Sequence, residues 1–221
     1  MSILLTILLT MAISYVLISF TEHQVHSRMM HKKSFPNWFY KKWPYIFQIY
    51  EGHAIRHHGQ WYRDFDFEPN EAGQLDNIFI TTVETIWLFL LLSPAILAFF
   101  LVSPWAGITF FAFGIAHNRL WNMLHIQMHM PKPVFFAEWP LFHWLSRHHF
   151  MHHVHTNRNL NIVFPLADFL LGTVATPKSG HLREMMRLGY LQPRTERAKL
   201  RLARIRAEYT IARSKVLAAV K

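Results

Sequence analysis

Long charge-free apolar runs alternate with polar stretches along this chain, and the lengths of the runs are informative. Ile3 to Phe20 is eighteen residues without a charge, the short end of what a helix needs to cross a bilayer at about 1.5 Å per residue. No Lys or Arg precedes Arg28, so the basic leader of a signal peptide is missing and the segment reads as a retained anchor. Ile78 to Ala116 is a second apolar block of 39 residues whose only charge is Glu84, about twice what one crossing requires. Ser103-Pro104-Trp105 supplies a breaker and an interfacial aromatic, so the block predicts a helical hairpin over roughly 78–102 and 105–128, with Pro94 kinking the first arm without ending it. From Thr195 the pattern changes: Ala198, Leu202, Ile205, Tyr209, Ala212 and Val216 recur at steps of four and three among basic residues, which predicts an amphipathic helix suited to anionic lipid. The stretch around His181, after Pro177 and next to Gly180, reads as a loop.

Basic residues orient these elements. Arg28, Lys32, Lys33, Lys41, Lys42, Arg56 and Arg63 follow the first run, Arg119, Lys132 and Arg147 lie at or beyond the far end of the hairpin, and neither the N-terminus nor the Ser103 turn carries any. Three crossings with the N-terminus outside satisfy this asymmetry. The expected fold is all-α and integral to the membrane, with about three transmembrane helices and a cytoplasmic helical cap.

Composition narrows the chemistry. Residues 178–221 hold twelve Lys/Arg against three Glu, nearly all of the +10 net charge, so the excess belongs to a tail and no nucleic-acid partner is implied. The chain has no Cys, which excludes disulfides, thiolate zinc sites, thiol catalysis and iron–sulfur clusters. It has sixteen His, all at or beyond the cytoplasmic ends of the expected spans.

Eleven of them fall in four groups: His26 and His31; His53, His57 and His58; His125 and His129; His148, His149, His152 and His153. On an α-helix, residues four apart share a face, so His53/His57 and His125/His129 can each offer two imidazoles to one ion. Neighbours such as His57/His58 and His152/His153 diverge by roughly 100° and can serve two ions. Eleven candidates exceed the needs of one metal and fit two with about five imidazoles each. The fourth group can be read with either His148 or His149 beside His152 and His153, and His149 is favoured. Imidazole accepts zinc, copper, iron and nickel, and a donor set beside hydrocarbon with few carboxylates suits oxygen activation better than hydrolysis.

The order H-x4-H, H-x3-HH, H-x3-H, HH-x2-HH, followed by NLNIVFPLADFLLGT from Asn159 to Thr173, resembles the integral-membrane fatty acid hydroxylase and sterol desaturase superfamily. The ending matches that family's pattern at Asn159, Pro165, Asp168, Gly172 and Thr173, and Glu22 to His26 is similar to its E-x-x-x-H entry. The resemblance spans roughly residues 10 to 175. It implies a di-iron, O2-dependent oxidoreductase acting on lipid on the cytoplasmic side of a bacterial inner membrane or the endoplasmic reticulum. Residues 1–177 would then form the catalytic domain and 178–221 a basic cytoplasmic tail. The implied ligands are His26, His31, His53, His57, His58, His125, His129, His149, His152 and His153. Zinc could replace iron on purification. Two departures stand out: the second group is HxxxHH where the family mostly has HxxHH, and Asn161 stands where a Gly is usual.

Outside that set, Glu22, one turn before His26, is a candidate to accept the outer N–H of a liganding imidazole, with His148, Asn159 and Asp168 as further supporting candidates. Asn118, Asn122, His125 and His129 form a polar seam that must face protein. Glu84 reads either as an interfacial charge or as a pocket residue. The leading functional expectation is hydroxylation of an aliphatic lipid. Desaturation of a lipid or sterol and carotenoid hydroxylation use the same centre, and a non-catalytic metal-binding membrane protein is the different-class alternative. With no Rossmann fingerprint and no Cys cluster, electrons must come from a separate donor protein.

Overall fold

A computed structural model describes residues 2–61, 79–163, 165–193 and 195–219. Arg63 and Ile78, which entered the charge and hairpin arguments, lie outside the described residues, as do Met1, Val220 and Lys221. Among the described residues the protein is helical and has no strand.

α1 (Ile3–Val25) starts at Ser2, whose side chain accepts from Leu5 N (3.3 Å), and runs on through a π-helical segment, His26–Met30. Two short helices, α2 (Asn37–Lys42) and α3 (Pro44–Tyr50), follow, the second continuing into a π-helical segment from Glu51 to Trp61. α4 (Thr82–Leu91) opens with a capping box: Thr81 Oγ1 accepts from Glu84 N, and Glu84 Oε2 accepts from Thr81 N (2.7 Å). Glu84 is thus a helix cap, which satisfies an otherwise orphaned amide.

α5 (Ser93–Val102) is bent by 61° from α4. The expected kink in one arm is therefore a full break, because Pro94 sits at the first turn of a new helix, where its missing N–H costs nothing, and Leu92 closes the old one. α6 (Pro104–His129) turns back directly after Ser103, whose Oγ accepts from Trp105 N (3.2 Å). Among the described residues, one helix, α1 extended to Met30, is long and apolar enough to cross a membrane, and the bent α4–α5 pair would make a second if it counts as one span.

α1 packs along α6, and its small polar residues Thr6, Thr10, Ser14 and Ser19 are all buried. Thr6 Oγ1 and Ser14 Oγ bond back along the helix to Ser2 O (3.1 Å) and Thr10 O (2.6 Å), so the backbones can approach without stranding these groups. Asn118 donates to Thr85 Oγ1 (2.9 Å), and Asn122 both accepts from Ile80 N and donates to Ile80 O. The polar seam does face protein: it fastens α4 to α6.

α7 (Pro140–Val154), α8 (Leu166–Leu170) and α9 (Ser179–Arg187) build the cap. One core joins Trp121, Leu124 and Met128 of α6 to Phe142 and Leu145 of α7, and a second joins Phe150 and Met151 to Met185, Leu188 and Tyr190. The expected loop at His181 is instead helical, its Nδ1 accepting from Lys178 N (3.2 Å) at the start of α9. α10 (Glu196–Ala219) carries the basic periodic sequence, and its apolar stripe begins by packing on protein: Leu202 is buried, Ile205 and Tyr209 partly so, with Arg187 of α9 4.0 Å from the Tyr209 ring centre.

A Cβ at Gly107 would lie 2.3 Å from the Phe100 ring, whereas one at Gly180 would meet nothing within 4 Å. Gly107→Ala is expected to loosen the α5–α6 turn by about 1–3 kcal/mol. Gly180→Ala should be neutral or slightly stabilising. Thermal unfolding of the two variants in detergent checks the contrast.

Candidate metal centre

Hydrogen bonding from i to i+5 puts residues five apart on one face, and that winding places the first two histidine pairs. His31 N bonds to His26 O (3.2 Å), and the two rings stack 5.1 Å apart. In the second π segment His53 and His58 are likewise five apart, with Nε2 atoms 3.1 Å from each other. The α-helical expectation that His53 and His57 serve one ion is overturned: π winding pairs His53 with His58 and turns His57 toward another group. In α6 and α7 the winding is ordinary: His125/His129 pair at four apart as expected, and so do His149/His153.

The result is two adjoining groups. Nitrogen atoms of His26, His31, His53, His58 and His152 all lie within 4.8 Å of one another, as do those of His57, His125, His129 and His149. His153 joins the second, 3.1 Å from His149 and 3.2 Å from His57, and its ring stacks on His58 at 4.1 Å between centres, so the groups abut. All ten residues read from the sequence are brought together. His148 is not among them.

The geometry is that of donors facing a common centre. Neighbouring Nε2 atoms are 2.8–3.2 Å apart around both groups. A ring nitrogen carries one proton or one lone pair, yet Nε2 of His53, His58, His149, His152 and His153 each has two such neighbours, so hydrogen bonds among the rings cannot account for the arrangement. Nitrogens about 2.1 Å from one ion are about 3.0 Å apart at right angles and about 3.4 Å apart at the tetrahedral angle. The spacing matches the first. These buried histidine groups can hold metal ions.

Backbone carbonyls aim the rings. His26 Nδ1 donates to Leu160 O, and His152 Nδ1 to Arg158 O (2.9 Å). A carbonyl can only accept, so the proton sits on Nδ1 and the Nε2 lone pair points into the group. Burial, and then the neighbouring rings and Lys32, push His31 down to about 3; burial pushes His152 down to about 4, and His53, His57, His58, His149 and His153 also fall well below 6.5. Neutral rings are the ligand form.

The stretch that carries the Leu160 carbonyl is held in turn by two carboxylates. Asp168, fully buried, accepts from His148 Nε2 (3.0 Å), Leu160 N (2.9 Å), Asn161 N (2.8 Å) and Thr173 Oγ1 (2.6 Å). Burial raises its pKa, and those four bonds outweigh burial to hold it below the ordinary carboxylate value. Asn159 sits in the left-handed region at φ 52°, donates to His148 O (2.9 Å) and accepts from Ala175 N (2.6 Å). Glu22 does not take the outer nitrogen of His26, which goes to Leu160. It stands one step back, accepting from Ile162 N (2.7 Å) and Asn161 Nδ2 (3.1 Å), with His117 Nε2 at 3.3 Å.

Asn161 is a working residue, with Nδ2 donating to Ser19 O (2.8 Å) and Oδ1 accepting from Asp168 N (3.2 Å). Its backbone has no positive φ, so a glycine is not needed there. Sequence reasoning missed Ser19, which accepts from Ala167 N (3.1 Å), and Tyr190, whose hydroxyl donates to Met128 O (2.6 Å) beside His129 while Arg147 donates to Tyr190 O (2.6 Å). Nothing in the sequence marks an orphan carbonyl at a helix end. His23 faces Thr173 Oγ1 (3.0 Å), His143 lies 3.8 Å from Glu138, and His155 faces His181 at 5.9 Å between rings, so none of these enters a group.

The chain matches no family model, no curated protein and no solved structure.

Beside His26 lies a pocket, open on one side, between α1, α4 and α6. Ile18, Leu88, Phe89, Leu92 and Trp121 make it mostly apolar, and Glu22 and His117 are on its wall. Trp121 also packs on His125 at 4.4 Å between rings, so it separates the pocket from the second group.

Two predictions follow from the depressed imidazoles and the carboxylate hub. The metal-free fold takes up protons less readily than the unfolded chain below pH 6.5, so its stability should be constant above that value and fall from 6.5 toward about 4, read by thermal unfolding across pH. Asp168→Asn turns one acceptor into a donor facing N–H groups. It should cost on the order of 3 kcal/mol and loosen metal retention, measured by unfolding and by metal content after dialysis against a chelator.

Proposed function

We propose that this protein is a membrane-bound di-iron oxygenase that hydroxylates an aliphatic lipid, using O2 and electrons from a separate reductase. The observation that carries the reading is the pair of abutting imidazole groups with right-angle donor spacing, which favours iron over tetrahedral zinc. Oxygen activation on a metal pair needs two adjoining sites that share a wall, and His57, His58 and His153 form that wall. The likeness of the histidine spacing and of the Asn159–Thr173 ending to membrane hydroxylases and desaturases points the same way.

Bound iron would supply reduction of O2 and attack on a C–H bond, one oxygen atom going to the substrate and the other, with two electrons and two protons, to water. The chain's residues do the rest. Ile18, Leu88, Phe89 and Trp121 would hold an alkyl chain out of water, with its near end against the His26 ring. The carbonyls of Leu160 and Arg158 keep two ligand rings in the binding tautomer, and the Asp168 clamp on Leu160 N and Asn161 N keeps the Leu160 carbonyl in place. Three crossings, with α6 as the third, put the histidines on the cytoplasmic side, as the basic flanks require.

In cells expressing the protein, product lipids should gain one oxygen; a loss of two hydrogens would assign desaturation instead. His152→Ala should lower product at least about 100-fold at matched protein level, since it removes a ring of the first group. His181→Ala, at the start of α9 outside both groups, should retain most activity. Equal loss from both, or fewer than two metals per chain in the fully loaded protein, would sink the reading.

A further inference from the structure

One exposed apolar surface is used by neither the histidine groups nor the pocket. On α8, Ala167 and Asp168 face inward, while Phe169, Leu170 and Leu171 are 57%, 64% and 46% exposed. Single exposed apolar residues need no explanation, but three in succession do. From Asn159 to Pro177 the only charged side chain is the buried Asp168, so the outer face of this whole segment is uncharged. Phe169 stacks on Trp144 of α7, 6.3 Å between centres and 3° from parallel, and the surface continues through exposed Leu141, Trp139 and Phe135.

The depth of this surface along the long helices decides what covers it. Ser19 Oγ accepts from Ala167 N (3.1 Å), so α8 starts level with Ser19, inside the apolar stretch of α1 that ends at Phe20. Seven residues, about 10 Å of helix, separate Ser19 from His26. On the other flank, Phe142 and Leu145 at the start of α7 share a core with Trp121 and Leu124 of α6, and Trp121 is eight residues, about 12 Å, before His129. The Phe169–Trp144 stack holds α7 beside α8 at the level of Ser19. There α8 packs on α1, on which Ile13, Val16 and Leu17 lie open.

We propose that α8 and the start of α7 form a wedge that inserts into the lipid leaflet on the histidine side of the membrane. Phe169, Leu170 and Leu171 contact acyl chains, and Trp139 lies at headgroup level, where an apolar ring with one polar N–H is at home. The inference rests on the membrane reading of α1 and not on the oxygenase reading. Because Asp168 is bonded into the same turn, the wedge fixes the histidine groups at a set height above the hydrocarbon.

A chain without cysteine makes the test direct, since any introduced Cys is the unique label site. Leu170→Cys, Leu9→Cys on α1 and Gly180→Cys on α9 would each carry an environment-sensitive fluorophore, in full-length protein reconstituted into phosphatidylcholine–phosphatidylglycerol vesicles with or without brominated acyl chains. The Leu170 label should be quenched by bromine and shielded from aqueous iodide, like the Leu9 label and opposite to the Gly180 label. Phe169→Cys gives the same reading should Leu170→Cys fold poorly. Iodide quenching at position 170 overturns the wedge. So does shielding from both quenchers, which would mean that a second copy of the chain covers the surface. A Leu9 label outside the lipid overturns the membrane reading and the wedge with it, whereas lipid contact at both sites in a protein without turnover leaves the wedge standing and removes only the oxygenase.

Discussion

Protonated imidazoles about 3 Å apart repel one another strongly in a medium of low dielectric constant, and here ten rings are that crowded and mostly buried. They can share the space only while neutral, with lone pairs turned inward. Meeting that condition requires three things of the surrounding chain: exclusion of water, a backbone acceptor for outer ring nitrogens, and nearby groups that hold those acceptors still. The packing of α1 on α6 and the two cap cores supply the first, and the segment between Arg158 and Val163 supplies the second.

That segment has no regular hydrogen bonding of its own, which is why it consumes the supporting polar residues around it. Asp168 and Glu22 accept its amides, Asn161 ties it to the backbone of α1, and Asn159 adopts a left-handed conformation that an amide side chain tolerates. His148 belongs to this scaffold. Its Nε2 donates to Asp168 and its Nδ1 accepts from Asn159 (3.1 Å), so both nitrogens are spent one turn away from rings of the same helix that face the groups. Two neighbouring histidines in one sequence box thus have unrelated duties, and the helical phase of α7 assigns them.

That these ten histidines converge was legible in sequence because clustering alone implies it, whereas the choice of His149 over His148 rests on the helical phase, since each stands four residues before another histidine. Their partition was not. It depends on where the chain leaves α winding, and neither HSRMM nor EGHAIRHHGQW carries a breaker that announces a π turn. The break between α4 and α5 was half legible: Pro94 marked the place, but whether a proline bends or restarts a helix depends on how its neighbours pack. Carbonyl acceptors such as Leu160 O and Met128 O left no trace in the sequence, since every residue has one.

The π segments also bear on how far residue spacing can be trusted as a signature. Residues five apart on a π turn occupy the relative position that residues four apart occupy on an α turn. A helix that absorbs one extra residue therefore presents the same pair of rings with one more letter between them, as His53 and His58 do beside the four-residue pair His125 and His129. Length variation of a single residue within such a box is neutral toward the donor geometry so long as the winding changes with it. The same insertion in a helix that kept its α winding would rotate everything beyond it by about 100° and scatter the donors.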